Sequence, residues 1–208
     1  NILPNITLSK NFSKTKSLKL SYSNRILRPG IQNINPNILR NNNFSTTEGN
    51  PELTPANAKQ LEMGYNQFGR KYQGSYNIYI KNTNDIIESY SRIIDGDEVK
   101  KYENIGASTN YGFNYFGSLR FDKFNIRTGF NLYQYRGSGV IDGQPISLTS
   151  SLLYSYNFGG SYNISDHWKA ECWGFFRSPN QTIQGSSTSF SMMSFGVKKE
   201  FKNKRGSL

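Results

Sequence analysis

Apolar and polar side chains take turns along most of this 208-residue chain. In the stretch SLKLSYSNRI, Leu18, Leu20, Tyr22 and Ile26 occupy one set of alternate positions, and Ser17, Lys19, Ser21 and Ser23 the other. A period of two puts the sets on opposite faces of an extended strand, whereas a helical period would mix them. NYGFNYFGSLRF repeats the pattern, with Tyr111, Phe113, Tyr115, Leu119 and Phe121 set against Asn110, Asn114, Ser118 and Arg120. LTSSLLYSYNFGGSYNI sets Leu148, Leu152, Tyr154, Tyr156, Phe158, Tyr162 and Ile164 against Thr149, Ser151, Ser155, Asn157, Ser161 and Asn163. The pattern predicts an all-β chain of about nine strands, near 4–12, 16–29, 58–68, 73–93, 100–121, 124–138, 145–162, 166–180 and 185–201.

The links between these strands are unequal. Tight polar turns are predicted at 13–16, 69–72, 122–123, 163–166 and 202–206, and looser or longer links at 29–57, 96–99, 139–144 and 179–185. Short and long links therefore alternate, which places them at opposite ends of an antiparallel up-and-down meander. Outer-membrane barrels segregate their connections in this way, with brief periplasmic turns and long outward loops. A membrane crossing takes about nine to eleven residues of tilted strand, so segments such as 73–93 and 100–121 are expected to stand above the bilayer. Aromatic residues near strand ends, Tyr72, Phe121, Phe124, Tyr162, Trp168 and Phe201, suit an interfacial girdle. A lipocalin-like or sandwich core is the competing reading of the same alternation.

Composition narrows the choice. Hydrophobic residues make up 35% of the chain, low for a conventional core, while 14 Tyr and 14 Phe are too many for a disordered one. That mixture fits sheets with one greasy and one wet face. No run of eighteen apolar residues occurs, so a transmembrane helix is excluded, whereas a membrane barrel is not. The net charge of +11 would also attract a nucleic acid, but the basic residues are dispersed and gather at turns rather than in one patch. No nucleic-acid partner is expected.

Candidate chemistry is sparse. His167 is the sole histidine and Cys172 the sole cysteine, and an offset of five puts them on opposite faces of one strand. Asp95, Asp97 and Glu98 cluster at a hairpin tip but lack the spacing of a calcium loop. RGSGVIDG around Gly137 has the glycines of a phosphate cradle without a following helix, and reads as a hairpin turn. No serine, histidine and acid set falls on one face, so no enzyme, metal site or cofactor is expected.

One stretch does more than alternate. In GNPELTPANAKQLEMGY, Gly49, Asn50, Pro51, Leu53 and Pro55 form a loop and Glu62, Gly64 and Tyr65 lie on the strand that follows. Pro51 and Pro55 fix φ and stiffen the loop's exit, Gly49 permits a turn, and Leu53 is placed to pack the loop onto a barrel rim. Leu61, Met63 and Tyr65 would then face lipid, and Glu62 and Asn66 the lumen. This motif resembles a signature of TonB-dependent outer-membrane receptors. Upstream, Tyr22, Ser23, Arg25, Arg28, Pro29, Asn35 and Pro36 match the same pattern, and later strands are similar to the outer-membrane protein β-barrel branch, so that the resemblance covers nearly the whole chain. It implies residues 1–208 are the C-terminal portion of a barrel of about 22 strands, a partial wall without the plug domain. The plug, TonB acting through the missing N-terminal region, outer-membrane lipid and an unknown nutrient ligand are the implied partners. Import of a large or scarce nutrient is the implied function; the alternative is a structural or interaction barrel, in adhesion or export, that does not transport. Both ends read as cut within the wall, and the motif as structural rather than ligand-binding.

Overall fold

Main-chain pairing organises the molecule, and in the computed structural model it is described for residues 3–141, 144–182 and 185–200. The strands are β1 (Asn5–Ser13), β2 (Lys16–Leu27), β3 (Leu39–Asn42), β4 (Ser45–Glu48), β5 (Ala56–Phe68), β6 (Tyr72–Asn84), β7 (Ile87–Ile94), β8 (Asp97–Asn104), β9 (Gly106–Arg120), β10 (Phe124–Ile141), β11 (Gln144–Asn163), β12 (Trp168–Arg177), β13 (Gln181–Thr182), β14 (Gly185–Ser186) and β15 (Phe190–Lys199). A single helical turn, α1 (Ile31–Ile34), precedes β3.

Nine strands make one antiparallel wall in the order β1-β2-β5-β6-β9-β10-β11-β12-β15. Each wall strand pairs with its neighbour along the meander, as alternation and turn spacing predict. The tight turns lie together at one end: 13–16, 68–72, 120–124 and 163–168. At the other end the chain makes its long excursions, 27–56, 84–106 and 177–190. The predicted turn at 202–206 and the girdle residue Phe201 lie outside the described residues.

Register converts the alternating pattern into two faces. Leu20, Met63, Ile78, Phe113, Leu132 and Tyr154 are cross-strand partners in one row running from β2 to β11. Leu20, Met63 and Ile78 remain 43%, 43% and 49% exposed, so this stripe is not the interior of a folded globule. The outward apolar run is about nine residues tall on the central strands: Tyr72 to Ile80 on β6, Tyr111 to Leu119 on β9 and Phe124 to Leu132 on β10. One tilted strand crosses a bilayer in that distance. Above it the same face turns polar, in a row of Asn24, Lys59, Asn82, Thr109 and Arg136.

Aromatic rings close the lower margin of this band. Tyr76 sits between Tyr65 and Tyr115, with ring centroids 6.2 and 5.0 Å away. The Tyr72 hydroxyl meets that of Tyr76. Gly74 and Gly117 are cross-strand partners, and the rings of Tyr72 and Tyr115 lie over them where a Cβ would stand. Phe124 stacks on Tyr162 at 4.5 Å. Such pairs add about 0.5–1.5 kcal/mol each beyond the area they bury.

Four expectations are corrected. Segments 73–93 and 100–121 are not single tall strands: the chain breaks at Asp85–Ile86 and at Ile105, and 87–104 leaves the wall as a separate hairpin. Asp85 adopts φ 55° and Gly106 φ 149°, and a Cβ at Gly106 would collide with the Ser138 carbonyl. The hairpin's own turn is Asp95–Gly96, at φ 52° and 91°, the left-handed pair that matches strand twist in a two-residue turn. Second, Gly137 and Gly139 belong to β10 rather than to a turn, and Gly139 pairs with Gly106 because the backbones come too close for side chains. Third, the 29–57 excursion is structured, carrying α1, β3 and β4. Fourth, His167 precedes β12 instead of lying within it.

Strands β1 and β15 each present a free hydrogen-bonding edge among the described residues. Exposed edges recruit other strands. The 208-residue chain, expressed alone and refolded, should therefore associate through these edges; sedimentation in detergent-free buffer checks this, and a monodisperse β-rich monomer would contradict it.

Candidate functional site

At the long-loop end a second, four-stranded sheet stands apart from the wall in the order β3-β4-β8-β7. Strand β4 runs parallel to β8, the one parallel pairing in the described chain, with Ser45 opposite Glu98 and Glu48 opposite Lys101. Segments separated by some fifty residues are thus joined main chain to main chain. The Lys101 Nζ lies 3.0 Å from Glu48 Oε2 across the same join, half in solvent. An exposed pair of this kind contributes little, so the ladder holds the sheet.

The GNPELTP loop leads from this sheet into β5, and its residues act one after another. The Gly49 amide donates to the Asn35 carbonyl at 3.1 Å and the Asn50 amide to the Asn33 carbonyl at 2.6 Å. A Cβ on Gly49 would fall against the backbone of Asn35 and Asn33. Glycine is required here for a close approach of two chain segments, not for the turn its sequence context predicts. The Asn50 side chain bridges outward: Nδ2 donates to the Tyr102 carbonyl at 3.2 Å while Oδ1 accepts from the Glu52 amide at 2.9 Å. Pro51 begins the turn, Leu53 is buried, and Pro55 delivers the chain to β5 from an exposed position.

Asn104 fastens the loop to the wall. Its Oδ1 accepts from the Thr54 amide at 2.8 Å, and its Nδ2 donates to the carbonyls of Thr54 and Asp85, both at 2.8 Å. One amide side chain therefore ties the motif loop, the end of β6 and the end of β8. The main chain completes the junction, with the Ile105 amide donating to Ile86 and the Ile86 amide to Gly106. Ile105 itself is buried, as are Leu53 in the loop and Ala56 and Ala58 at the start of β5, in a molecule whose apolar surface mostly faces outward.

Tyr90 anchors the hairpin from its other strand. It is 3% exposed, and its hydroxyl donates to Glu103 Oε1 at 2.6 Å. Burial first, and then this hydrogen bond and the Glu103 charge, push its phenol up to about 12. The Arg92 guanidinium lies 5.0 Å from its ring centroid.

The strand half of the motif lies on the wall below. Glu62 faces the lumen beside Gln60, whose Nε2 donates to Glu62 Oε2 at 2.9 Å. Gly64 leaves room for the Asn77 side chain from the paired strand, and Tyr65 joins the outward aromatic row. On the lumen face Glu62, Tyr79, Gly112, Tyr133 and Leu153 form a row, with the Tyr79 ring lying over Gly112. The adjoining rows carry Gln60, Lys81, Asn110 and Tyr135 on one side and Asn77, Asn114, Asn131 and Ser155 on the other. Amides, phenols and a few cations therefore line the inner surface.

The structure brings Gly49, Asn50 and Leu53 together with Tyr102, Asn104 and Asp85, while Glu62, Gly64 and Tyr65 stand on the wall. Asn104 and Tyr102 escape sequence reasoning because ENIGAS continues an alternating run; the signal present was Gly106 directly after Ile105. Among the described residues no group of three His, Cys, Asp or Glu side chains could hold a metal ion. Asp95 serves the turn, and the Glu98 amide donates to the Phe44 carbonyl in the parallel join.

An antiparallel wall with an outward apolar band one bilayer tall, an aromatic lower margin and a polar inner face is the wall of an outer-membrane β-barrel. The profile of the outer membrane protein beta-barrel family matches residues 1–208, and the chain belongs to that family. Solved structures share its fold at low identity. The copper transporter OprC superposes with a TM-score of 0.67 at 13% identity, over 94% of this chain and 30% of OprC. The siderophore receptor PirA from Acinetobacter baumannii gives 0.64 at 15%, over 98% of this chain and 35% of PirA. The ferric enterobactin receptor PfeA from Pseudomonas aeruginosa, as a G324V mutant, gives 0.62 at 12%, over 98% and 33%. The chain thus spans about a third of each of these proteins. A search of curated protein sequences finds no match.

In the full-length barrel, Asn104→Ala should leave the amide of Thr54 and the carbonyls of Thr54 and Asp85 to water, at a cost of about 0.5–1.5 kcal/mol because these groups are exposed. Hydrogen exchange should then accelerate across 49–55 and 87–104 and not across the wall. Gly49→Ala should produce the same signature. Unchanged protection in both variants would show that the clamp does not hold the loop.

The raised Tyr90 phenol has a sign. Its folded-state value lies above the ordinary value near 10, so its contribution is complete below about pH 10 and is lost as pH rises through about 12. Exchange from the hairpin should rise over that window in the native barrel, and Tyr90→Phe should flatten the added dependence.

Proposed function

We propose that residues 1–208 are the C-terminal portion of a TonB-dependent receptor barrel that imports a bulky, polar, scarce nutrient. The motif residues Gly49, Asn50, Pro51, Leu53, Pro55, Glu62, Gly64 and Tyr65 act in it structurally, by delivering a braced loop into β5. The observation that carries this reading is the clamp at Asn104, which fixes a long outer loop to a wall whose inner face is polar. A barrel that only fills a membrane or anchors a complex has no need of so ordered a loop end. The inner surface supplies several hydrogen-bonding partners per row, and Arg25, Lys81, Arg127 and Arg177 outnumber Glu62 and Glu171 along it. That surface suits a large cargo held by many weak contacts. Similarity to a copper transporter and two siderophore receptors supports import as the class.

The test uses the whole protein in its native host. Deletion of the gene should slow growth when iron or copper is chelated from the medium, and removal of TonB should reproduce the defect without worsening it. A plug domain ahead of this barrel segment is expected in the full-length protein. Normal uptake in both strains, or a full-length protein without a plug, would overturn the reading in favour of a structural or interaction barrel.

A further inference from the structure

We infer that the outward face of β10, β11, β12 and β15, close to the short turns, holds one anionic glycerophospholipid of the leaflet that meets those turns. Its acyl chain lies across Gly160, Ala170 and Cys172, and its phosphate lies beside Lys199.

Register builds the groove. One outward row reads Phe124, Tyr162, Ala170 and Val197, and the next reads Ile126, Gly160, Cys172 and Phe195. Large side chains stand on the first and last strands of each row, and small ones between. Neighbouring strands are about 4.8 Å apart, so the walls at Ile126 and Phe195 are separated by roughly 14 Å. The resulting depression measures about 560 Å³, and its lining is almost wholly apolar. Further up the wall the Phe158 ring fills the space over Gly174, which closes the groove at that end. Elsewhere on this face rings of neighbouring strands touch, as Tyr76 does with Tyr115 and Tyr156 with Phe176. A second apolar depression of about 580 Å³ lies on the same face over Met63, Ile78 and Phe113, but what adjoins it further up is the neutral and mixed row of Asn82 and Thr109 rather than Trp168 and Lys199.

The other end of the groove is cationic. Trp168 and Lys199 are cross-strand partners one outward position below Ala170 and Val197, and Lys199 Nζ lies 5.1 Å from the indole ring centroid. The lumen-facing lysines nearby are engaged, Lys169 with Glu171 at 2.5 Å and Lys198 with Glu200 at 3.4 Å. Charge is also partitioned along the barrel axis. Eight of the fourteen acidic residues lie in 28–57 and 85–105 at the long-loop end. The two turns flanking the groove carry Lys123 beside Asp122 and Asp166, so its local positive charge rests on Lys199, while the turns further round the wall carry Lys14, Lys16, Arg70 and Lys71. A groove that takes hydrocarbon and opens onto a cationic headgroup level is complementary to an anionic phospholipid. A second copy of this chain would bring the same positive charge to the face.

Native mass spectrometry of the full-length protein, purified from mild detergent and titrated with phosphatidylglycerol, phosphatidylethanolamine or lipid A, tests the site. One phosphatidylglycerol should be retained, about fivefold more tightly than phosphatidylethanolamine, the effect of one cation near the headgroup. Lys199→Gln should abolish that preference and leave phosphatidylethanolamine binding unchanged. Gly160→Leu should weaken both lipids about tenfold by filling the floor. Cys172→Phe, which adds bulk on the outward face, makes the same test should Gly160→Leu fail to show the heat-dependent gel mobility of a folded barrel. Equal retention of the two phospholipids, preference for lipid A, retention unaffected by the variants, or a dimer mass with Cys172 shielded from thiol reagents would each overturn the proposal.

Discussion

Hydrocarbon offers no partner to a peptide group, so a chain that crosses a bilayer must satisfy every N–H and C=O within its own ladders. That requirement explains why the wall strands pair in strict succession along the meander. It also explains why departures from regular pairing lie outside the apolar band, at Asn11–Ser13 beside a short turn and, at the long-loop end, at Asp85–Ile86, at Ile105, at Tyr135–Gly137 and in the parallel join of β4 with β8, where water and rim side chains can meet the freed groups. Stability in such a molecule comes from the ladder and from rings packed against rings on its outer face. Few side chains are buried among the described residues; the apolar ones are Leu53, Ala56, Ala58, Tyr90, Ile105 and Leu153, most of them in the motif loop, the start of β5 and the hairpin rather than in the apolar band.

The wall was readable from sequence because its physical constraint repeats every two residues. Leu20, Met63 and Ile78 announce their face by their neighbours alone, and Ser13–Lys16 and Gly69–Tyr72 announce turns by composition. The rim was not readable in the same way. SYSRII in β7 alternates as a wall strand does, so its period does not reveal that it pairs with β8 rather than continuing the wall. What redirects it is Asp85 in a left-handed conformation and Gly106 beside Ser138, single positions whose effect depends on partners far away in sequence.

The motif shows the same division. Leu53 is buried, and Pro51 and Pro55 lie exposed on the path into β5. Gly49 and Asn50 act through Asn33, Asn35 and Tyr102, which no spacing rule connects to them. Asn104 had no distinguishing pattern at all, yet it makes three hydrogen bonds to two other segments. Its role follows from the geometry of a carboxamide, which accepts on one side and donates twice on the other.

The Asp95–Gly96 tip has a practical implication. It caps a hairpin whose base is fixed and whose strands pair outside the transmembrane wall, with open space around Gly96, so chain added there would lengthen an already solvated protrusion. This tip is a natural place to display a foreign epitope on the bacterial surface, and a place where sequence drift can alter what antibodies or phage encounter while the membrane lattice beneath stays the same.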